Sequence, residues 1–299
     1  MHFAADVKPY IIFNPTAGSV TDERKERAEL IRLKPVDLAA TRKPGHAAKL
    51  ARNAVRRGCN YLICAGGDGT LNEIVNGVAE TGETVRIGIM PLGTGNDFAR
   101  TLGLPISVEQ NIDILRAAKT RPVDIVKVRG RRARYFVNVA AGGFSGLVRR
   151  KITPEIKKSW GPLAYIRGAA AALPKLHAYK TTLVLDQGEE LSAALYNVII
   201  ANGRYAAGGL PIAPDAEPGD ALLDIVLIPK RSTPEMLVLA AEIILGKHLA
   251  DNAIISRRAR RVSVRSKPGM WFNVDGELVG SVPATFQIVP RALKFVVKR

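Results

Sequence analysis

Gly66-Gly67-Asp68-Gly69-Thr70, followed by Leu71-Asn72-Glu73, is the stretch whose residue types and spacing best suit chemistry. An apolar run, Tyr61–Cys64, leads into it, and a helical pattern from Leu71 to Val78 follows. A strand that breaks into glycines and then into a helix presents bare backbone N–H groups at a helix N-terminus, a ready seat for phosphate. Glycines on both sides of Asp68 let the backbone approach a ligand with no Cβ in the way. A carboxylate among phosphate-friendly glycines makes sense if a metal ion bridges the two. A lone GxG motif is as readily a strand-to-helix turn; five consecutive matching residues at this position favour function.

The elements around this stretch have to place it. Residues 8–14, Val36–Thr41, Tyr61–Cys64 and Arg86–Met90 read as strands. Between and after them lie helical stretches at Asp22–Arg32, 44–57, Leu71–Ala79 and Asp97–Leu102. Regular alternation predicts a parallel sheet with covering helices, with ligands beyond the carboxyl ends of its strands. Three loops are expected at those ends and should converge: Asn14–Ser19, Gly66–Thr70 and Pro91–Asp97. After a further helix, Ile112–Ala118, and a strand beginning at Pro122, the pattern becomes strand-rich, with β-branched residues and turns. Helices interrupt it at Pro162–Leu173 and Pro234–Leu245, the second capped by Ser232 or Thr233 and followed by Gly246. The expected fold is an N-terminal Rossmann-like parallel α/β domain and a C-terminal antiparallel β-sandwich domain with inserted helices. The expected division is 1–130 and 131–289, with residues 290–299 returning to the first domain.

The net charge of +17 calls for an anionic partner. The excess is clustered at Arg129–Arg134, at Arg149–Lys151 with Lys157–Lys158, and in Ser256–Lys267, which has six basic residues and no acid. Solvated surface charge is the plainer reading. Aromatics are only 6% and no nucleic-acid module is visible, so specific nucleic-acid binding is not expected and an anionic membrane surface is the better partner. No apolar run is long enough to span a bilayer, and the first residues lack the basic region and cleavage site of a signal peptide. Cys59 and Cys64 have no CxxC spacing, and the four histidines have no metal spacing. A reducing cytoplasm follows as the expected location, with peripheral attachment at the inner membrane face. A strand edge in the second domain could pair between copies as a homodimer.

The chain resembles the diacylglycerol kinase catalytic domain and the related sphingosine kinases and bacterial soluble lipid kinases. The resemblance rests on Asn14-Pro15-Thr16-Ala17-Gly18, Gly66–Glu73 and Pro91-Leu92-Gly93-Thr94-Gly95-Asn96-Asp97-Phe98. Later pieces are Gly142-Gly143-Phe144, Pro214-Asp215-Ala216, Gly219-Asp220 and Asn273-Val274-Asp275-Gly276-Glu277. It implies an ATP- and Mg²⁺-dependent kinase acting on a lipid hydroxyl, with diacylglycerol as the expected acceptor and phosphatidic acid as product. The chain has no GxxxxGK[ST] loop, so the ATP phosphates must be cradled by other means, and the resemblance implies that the glycine-rich loop does this. By resemblance, Asn14, Pro15, Thr16, Ala17, Gly18, Thr41, Gly66, Gly67, Asp68, Gly69, Thr70, Leu71, Asn72, Glu73, Thr94, Asn96 and Asp97 line the nucleotide site. Asp68 would organise the metal, with Asp97 and Asp124 assisting; Asp124 could equally be a strand-end acid capping a turn.

Glu277, with Asp275 beside it, is the implied proton acceptor for the lipid hydroxyl. Two apart on an extended stretch, the two carboxylates would share one face and could face the glycine-rich loops from the second domain. An Asp-Gly pair on its own is a hairpin turn. A structural Mg²⁺ would be held by the Asp220 carboxylate and the carbonyls of Glu217 and Leu222, although Ala221 stands where relatives commonly have glycine. An NAD kinase-like or phosphofructokinase-like enzyme sharing the GGDG loop, or a catalytically silent lipid-binding regulator, are the alternatives.

Overall fold

The computed structural model describes residues 9–129, 133–143, 177–186, 188–281 and 283–298. The expected helix at Pro162–Leu173, the basic clusters at 149–151 and 157–158, Phe144 and residues 130–132 of the 129–134 cluster lie outside the described residues. The chain forms two compact units, Met1–Val123 with Arg291–Arg299, and Asp124–Pro290.

In the first unit, β1 (Tyr10–Phe13), β2 (Asp37–Ala40), β3 (Tyr61–Gly66) and β4 (Arg86–Pro91) form a parallel sheet in the order β4-β3-β1-β2. The end of β15 (Ala284–Val296) adds in parallel beside β4, with Lys294 opposite Arg86. β1 and β3 are buried along their whole length, as continuous apolar strands covered on both faces must be. Around them lie α1 (Glu23–Ile31), α2 (His46–Arg56), α3 (Asp68–Ala79), α4 (Asp97–Thr101) and α5 (Val108–Ala117). Ile11, Phe13, Ile63 and Met90 pack with Leu30 of α1 and Ile112 and Leu115 of α5. Phe98 of α4 meets Phe295 edge to face, with ring centroids 5.1 Å apart.

The second unit is antiparallel and sandwich-like. It contains the ends of β5 (Thr120–Arg129) and β15, with β6 (Ala133–Phe136), β7 (Val139–Gly143), β8 (Tyr179–Leu185), β9 (Glu189–Ala201) and β10 (Leu223–Pro229). It continues through β11 (Ile255–Ala259), β12 (Arg261–Lys267), β13 (Trp271–Val274) and β14 (Glu277–Ser281). The long β9 pairs with β8 along its first half and with β7 and β10 along its second. Phe136, Phe272 and Phe286 fill the main core with aliphatic residues from most of these strands. α6 (Thr233–Ile244) starts with a capping box, Ser232 N donating to the Glu235 carboxylate at 2.7 Å, and packs Met236 and Leu239 onto the sheet. Among the described residues, no helix is long and apolar enough to cross a membrane.

Candidate active site

β1, β3 and β4 are parallel, so the segments that follow them emerge at one edge of the sheet. Backbone bonds knit the segments together. Asn14 N donates to Ala65 O at 2.9 Å, Leu92 N to Gly66 O at 3.0 Å, and Ser19 N to Leu92 O at 3.0 Å. Gly67 and Gly93 touch backbone to backbone: a Cβ on Gly67 would lie 2.9 Å from Gly93 Cα, and one on Gly93 2.5 Å from Gly67 Cα. Two of the three glycine-rich loops therefore meet through glycines that no other residue can replace without displacement. Thr41 follows β2 at the same edge, its N–H on Phe13 O at 2.8 Å.

The helix after β3 begins earlier than its sequence pattern indicates. Asp68, Gly69 and Thr70 form the first turn of α3, with Gly67 as an extended N-cap. The first helical bond is Leu71 N to Gly67 O, so the N–H groups of Asp68, Gly69 and Thr70 have no intrahelical partner. Gly69 differs from its neighbours: a Cβ there would meet nothing within 4 Å. The packing of this protein does not require glycine at position 69, which leaves open space above the helix N-terminus.

Several expected ligand-binding residues are committed within the protein. Asn14 closes its own loop, Oδ1 accepting from Thr16 N at 3.0 Å and Thr16 Oγ1 at 2.9 Å, and reaches Thr70 Oγ1 through Nδ2 at 3.0 Å. Asn96, left-handed at φ 53°, ties its loop through Gly93 N and Gly93 O, so its amide serves the loop. The Glu73 carboxylate accepts from Gly45 N at 2.8 Å and Ala47 N at 3.0 Å, capping α2, whose own N-cap residue is a glycine. Removing that cap should lower stability by about 1 kcal/mol. Glu73→Ala is therefore expected to lower the urea midpoint while the Michaelis constant for nucleotide stays unchanged. Asp68 Oδ1 accepts from Phe98 N at 3.2 Å, capping α4 and joining the first-turn acid of α3 to the third loop. Among the described residues its second oxygen has no hydrogen-bond partner. Pro15, Thr16, Gly18 and Thr94 lie at the partly open rim of the loops, Ala17 and Asn72 are buried, and Asp97 opens α4 with its side chain buried.

In the second unit, Val274-Asp275-Gly276-Glu277 is the turn of the β13–β14 hairpin, with Val274 paired to Glu277. Asp275 and Gly276 have φ of 43° and 91°, the left-handed pair that a type I′ turn needs. The extended geometry inferred from sequence is thus incorrect: Asp275 sits in the turn. Its carboxylate accepts from Val137 N at 3.1 Å and Val139 N at 2.9 Å, fastening the hairpin to the start of β7.

Residues 8–128 match the family described as diacylglycerol kinase catalytic domain, and residues 137–297 match the YegS C-terminal NAD kinase beta sandwich-like domain. A diacylglycerol kinase from Staphylococcus haemolyticus is 34% identical over 95% of this chain and 86% of its own length. One from Bacillus subtilis is 33% identical over 97% and 96%. This chain belongs to the diacylglycerol kinase family. Solved structures show the same fold. A diacylglycerol kinase from Bacillus anthracis superposes with a TM-score of 0.74 at 21% identity, covering 98% of this chain and 97% of its own. An NAD kinase from Archaeoglobus fulgidus aligns at 0.56 and 14% identity, covering 96% and 93%. The NAD kinase shares the fold, and the sequence relatives lie on the diacylglycerol kinase side.

Asp220, which the resemblance implies for a structural Mg²⁺ with the carbonyls of Glu217 and Leu222, has protein partners in this structure. Asp220 is ion-paired to Arg258, and its Oδ1 accepts from Leu222 N at 3.0 Å. The Glu217 carbonyl accepts from Gly219 N at 2.7 Å. Arg258 also holds Asp224 at 3.2 Å, so a guanidinium occupies the position between the two carboxylates. Among the described residues no three acidic, His or Cys side chains form a group suited to a metal ion. Ala221 takes φ 63°, the conformation that glycine favours, and its N–H donates to Asp124 Oδ2 at 2.7 Å. Asp124 is fully buried within β5 rather than at a strand end, and it holds the Ala221 turn. Arg258 was visible in the sequence only as one cation of a basic run.

Burial pushes the Asp224 carboxyl up to about 6, with Arg258 opposing the rise. A folded value above the unfolded one favours the fold below pH 4 and loses that contribution as pH climbs through 6. Melting temperature should therefore lose this contribution between about pH 4 and 6 in the wild type, and the fall should be smaller in Asp224→Asn, as followed by circular dichroism.

Proposed function

We propose that this enzyme transfers the γ-phosphate of ATP to a hydroxyl of a membrane lipid, with diacylglycerol as acceptor and phosphatidic acid as product. The observation that carries the reading is the joining of three glycine-rich loops at the carboxyl ends of parallel strands, around the uncapped N-terminus of α3. Free N–H groups of Asp68, Gly69 and Thr70 and the positive end of the helix suit the charge of the nucleotide phosphates. Asn14, Thr16, Gly18, Thr41 and Thr94 border the same edge and supply polar contacts to the nucleotide. The carboxylate oxygen of Asp68 left unbonded fits a water-bridged Mg²⁺. Bound with ATP, that ion would offset charge on the β and γ oxygens.

The lipid hydroxyl must lose its proton as it attacks phosphorus. Asp275 has both oxygens on backbone donors, so it positions the turn and Glu277 is assigned as the proton acceptor. The diacylglycerol kinases among the relatives, similar over nearly their whole length, support the acceptor class. Charge of +17 supports peripheral work at an anionic membrane.

Gly69 offers a test that separates binding from folding. Gly69→Ala replaces glycine in a helical turn by a better helix former, so stability should hold or rise by about 0.5 kcal/mol. The added methyl fills the space assigned to phosphate, and the Michaelis constant for ATP is expected to rise about tenfold or more, a loss of about 1.4 kcal/mol in binding. ADP release with diacylglycerol in neutral detergent micelles reads both constants. An unchanged constant would remove the phosphate from this helix end.

A further inference from the structure

The basic run in Ser256–Lys267 divides in the structure. Arg257 pairs with Glu189, and Arg258 with Asp220 and Asp224. Arg261, Arg265 and Lys267 of β12 have no carboxylate partner among the described residues, nor does Lys180 of β8. All four side chains are exposed. Alternation explains their common face: Val262 and Val264 of β12 and Leu183 and Leu185 of β8 are buried, so the intervening residues point outward. The register then places Lys267 directly opposite Lys180 and Arg265 opposite Thr182, with Val184 and Ser263 paired beside them. Two acids border the array, against its four cations. Asp186 accepts from the backbone N–H groups of Arg260 and Arg261, and Glu190 lies across from Val184 on β9.

Like charges directly opposite across a strand pair destabilise a sheet. A face that places Lys against Lys, with neither paired to a carboxylate among the described residues and four cations against the single Glu190, is complementary to an external anionic surface. The outward residues between the cations are Thr182, Val184 and Ser263, with no aromatic ring on which a base could stack. We propose that the outer face of the β8–β12 pair docks on the anionic surface of a lipid bilayer. The choice of lipid rests on the kinase reading above, in which the acceptor resides in a membrane.

The test is sedimentation with vesicles of phosphatidylglycerol and phosphatidylcholine, compared with phosphatidylcholine alone. Arg265→Gln/Lys267→Gln should lower partitioning onto the anionic vesicles on the order of 30-fold, with no change on neutral ones. A control, Arg24→Gln/Arg27→Gln on α1, carries the same change in net charge and should lose far less. Equal losses in both variants, or none in the first, overturn the assignment of this face. So does single-stranded DNA that displaces the protein from vesicles and itself loses affinity in the first variant. Phosphate transfer in neutral detergent micelles is measured in parallel and should be unaffected by Arg265→Gln/Lys267→Gln. Absence of transfer by the wild type would refute the kinase reading, while face-dependent vesicle binding would still support the docking face.

Discussion

Asp68→Asn should fold normally and turn over on the order of 100-fold or more slowly in neutral micelles. The two effects separate because Asp68 has two tasks. Its Oδ1 caps α4 through Phe98 N, and an amide oxygen can keep that bond. On the proposed function its remaining oxygen is offered to the metal of the nucleotide, and the amide removes that negative charge. Asp68→Ala should lose the same turnover and also about 1 kcal/mol of stability, the usual cost of a missing cap. Urea unfolding and turnover, measured on both variants, decide the matter. If Asp68→Asn retained full turnover, Asp68 would be a cap and nothing more.

Glu277→Gln is expected to lower kcat by about 10²- to 10⁴-fold, the usual contribution of a positioned base, with little change in the Michaelis constant for ATP. Asp275→Asn should behave differently. Its carboxylate receives two backbone N–H groups, and an amide NH₂ turned toward either would leave a donor facing a donor. A stability loss of about 1–3 kcal/mol is expected there. Full kinetics and thermal melts on the two variants separate base from positioner. Unimpaired kcat in Glu277→Gln would withdraw its role.

The sequence showed much of this arrangement because its signals were local and periodic. Apolar runs such as Tyr10–Phe13 and Tyr61–Gly66, separated by helical stretches, can be little other than buried parallel strands, and glycine-rich loops at their ends must then share an edge. Other features were hidden because their causes are distant along the chain. Glu73 caps an N-terminus 28 residues earlier, and Arg258 reaches an aspartate 38 positions before it. The early start of α3 was hidden for a different reason. Gly, Asp and Thr are weak helix formers, but an acid in the first turn and a glycine N-cap suit a helix beginning. At Asp275-Gly276 the local turn signal was clear, and the expectation of an extended pair of carboxylates overrode it.

On the proposed function, phosphate passes from ATP to a lipid hydroxyl. The most direct measurement incubates the protein with γ-labelled ATP and a mixture of diacylglycerol micelles, NAD and a sugar phosphate, then follows the label after organic extraction. Label is expected in the organic phase, co-migrating with phosphatidic acid, and is lost in Glu277→Gln. Label in NAD or the sugar phosphate, or no labelled acceptor while the protein still binds lipid, would contradict it.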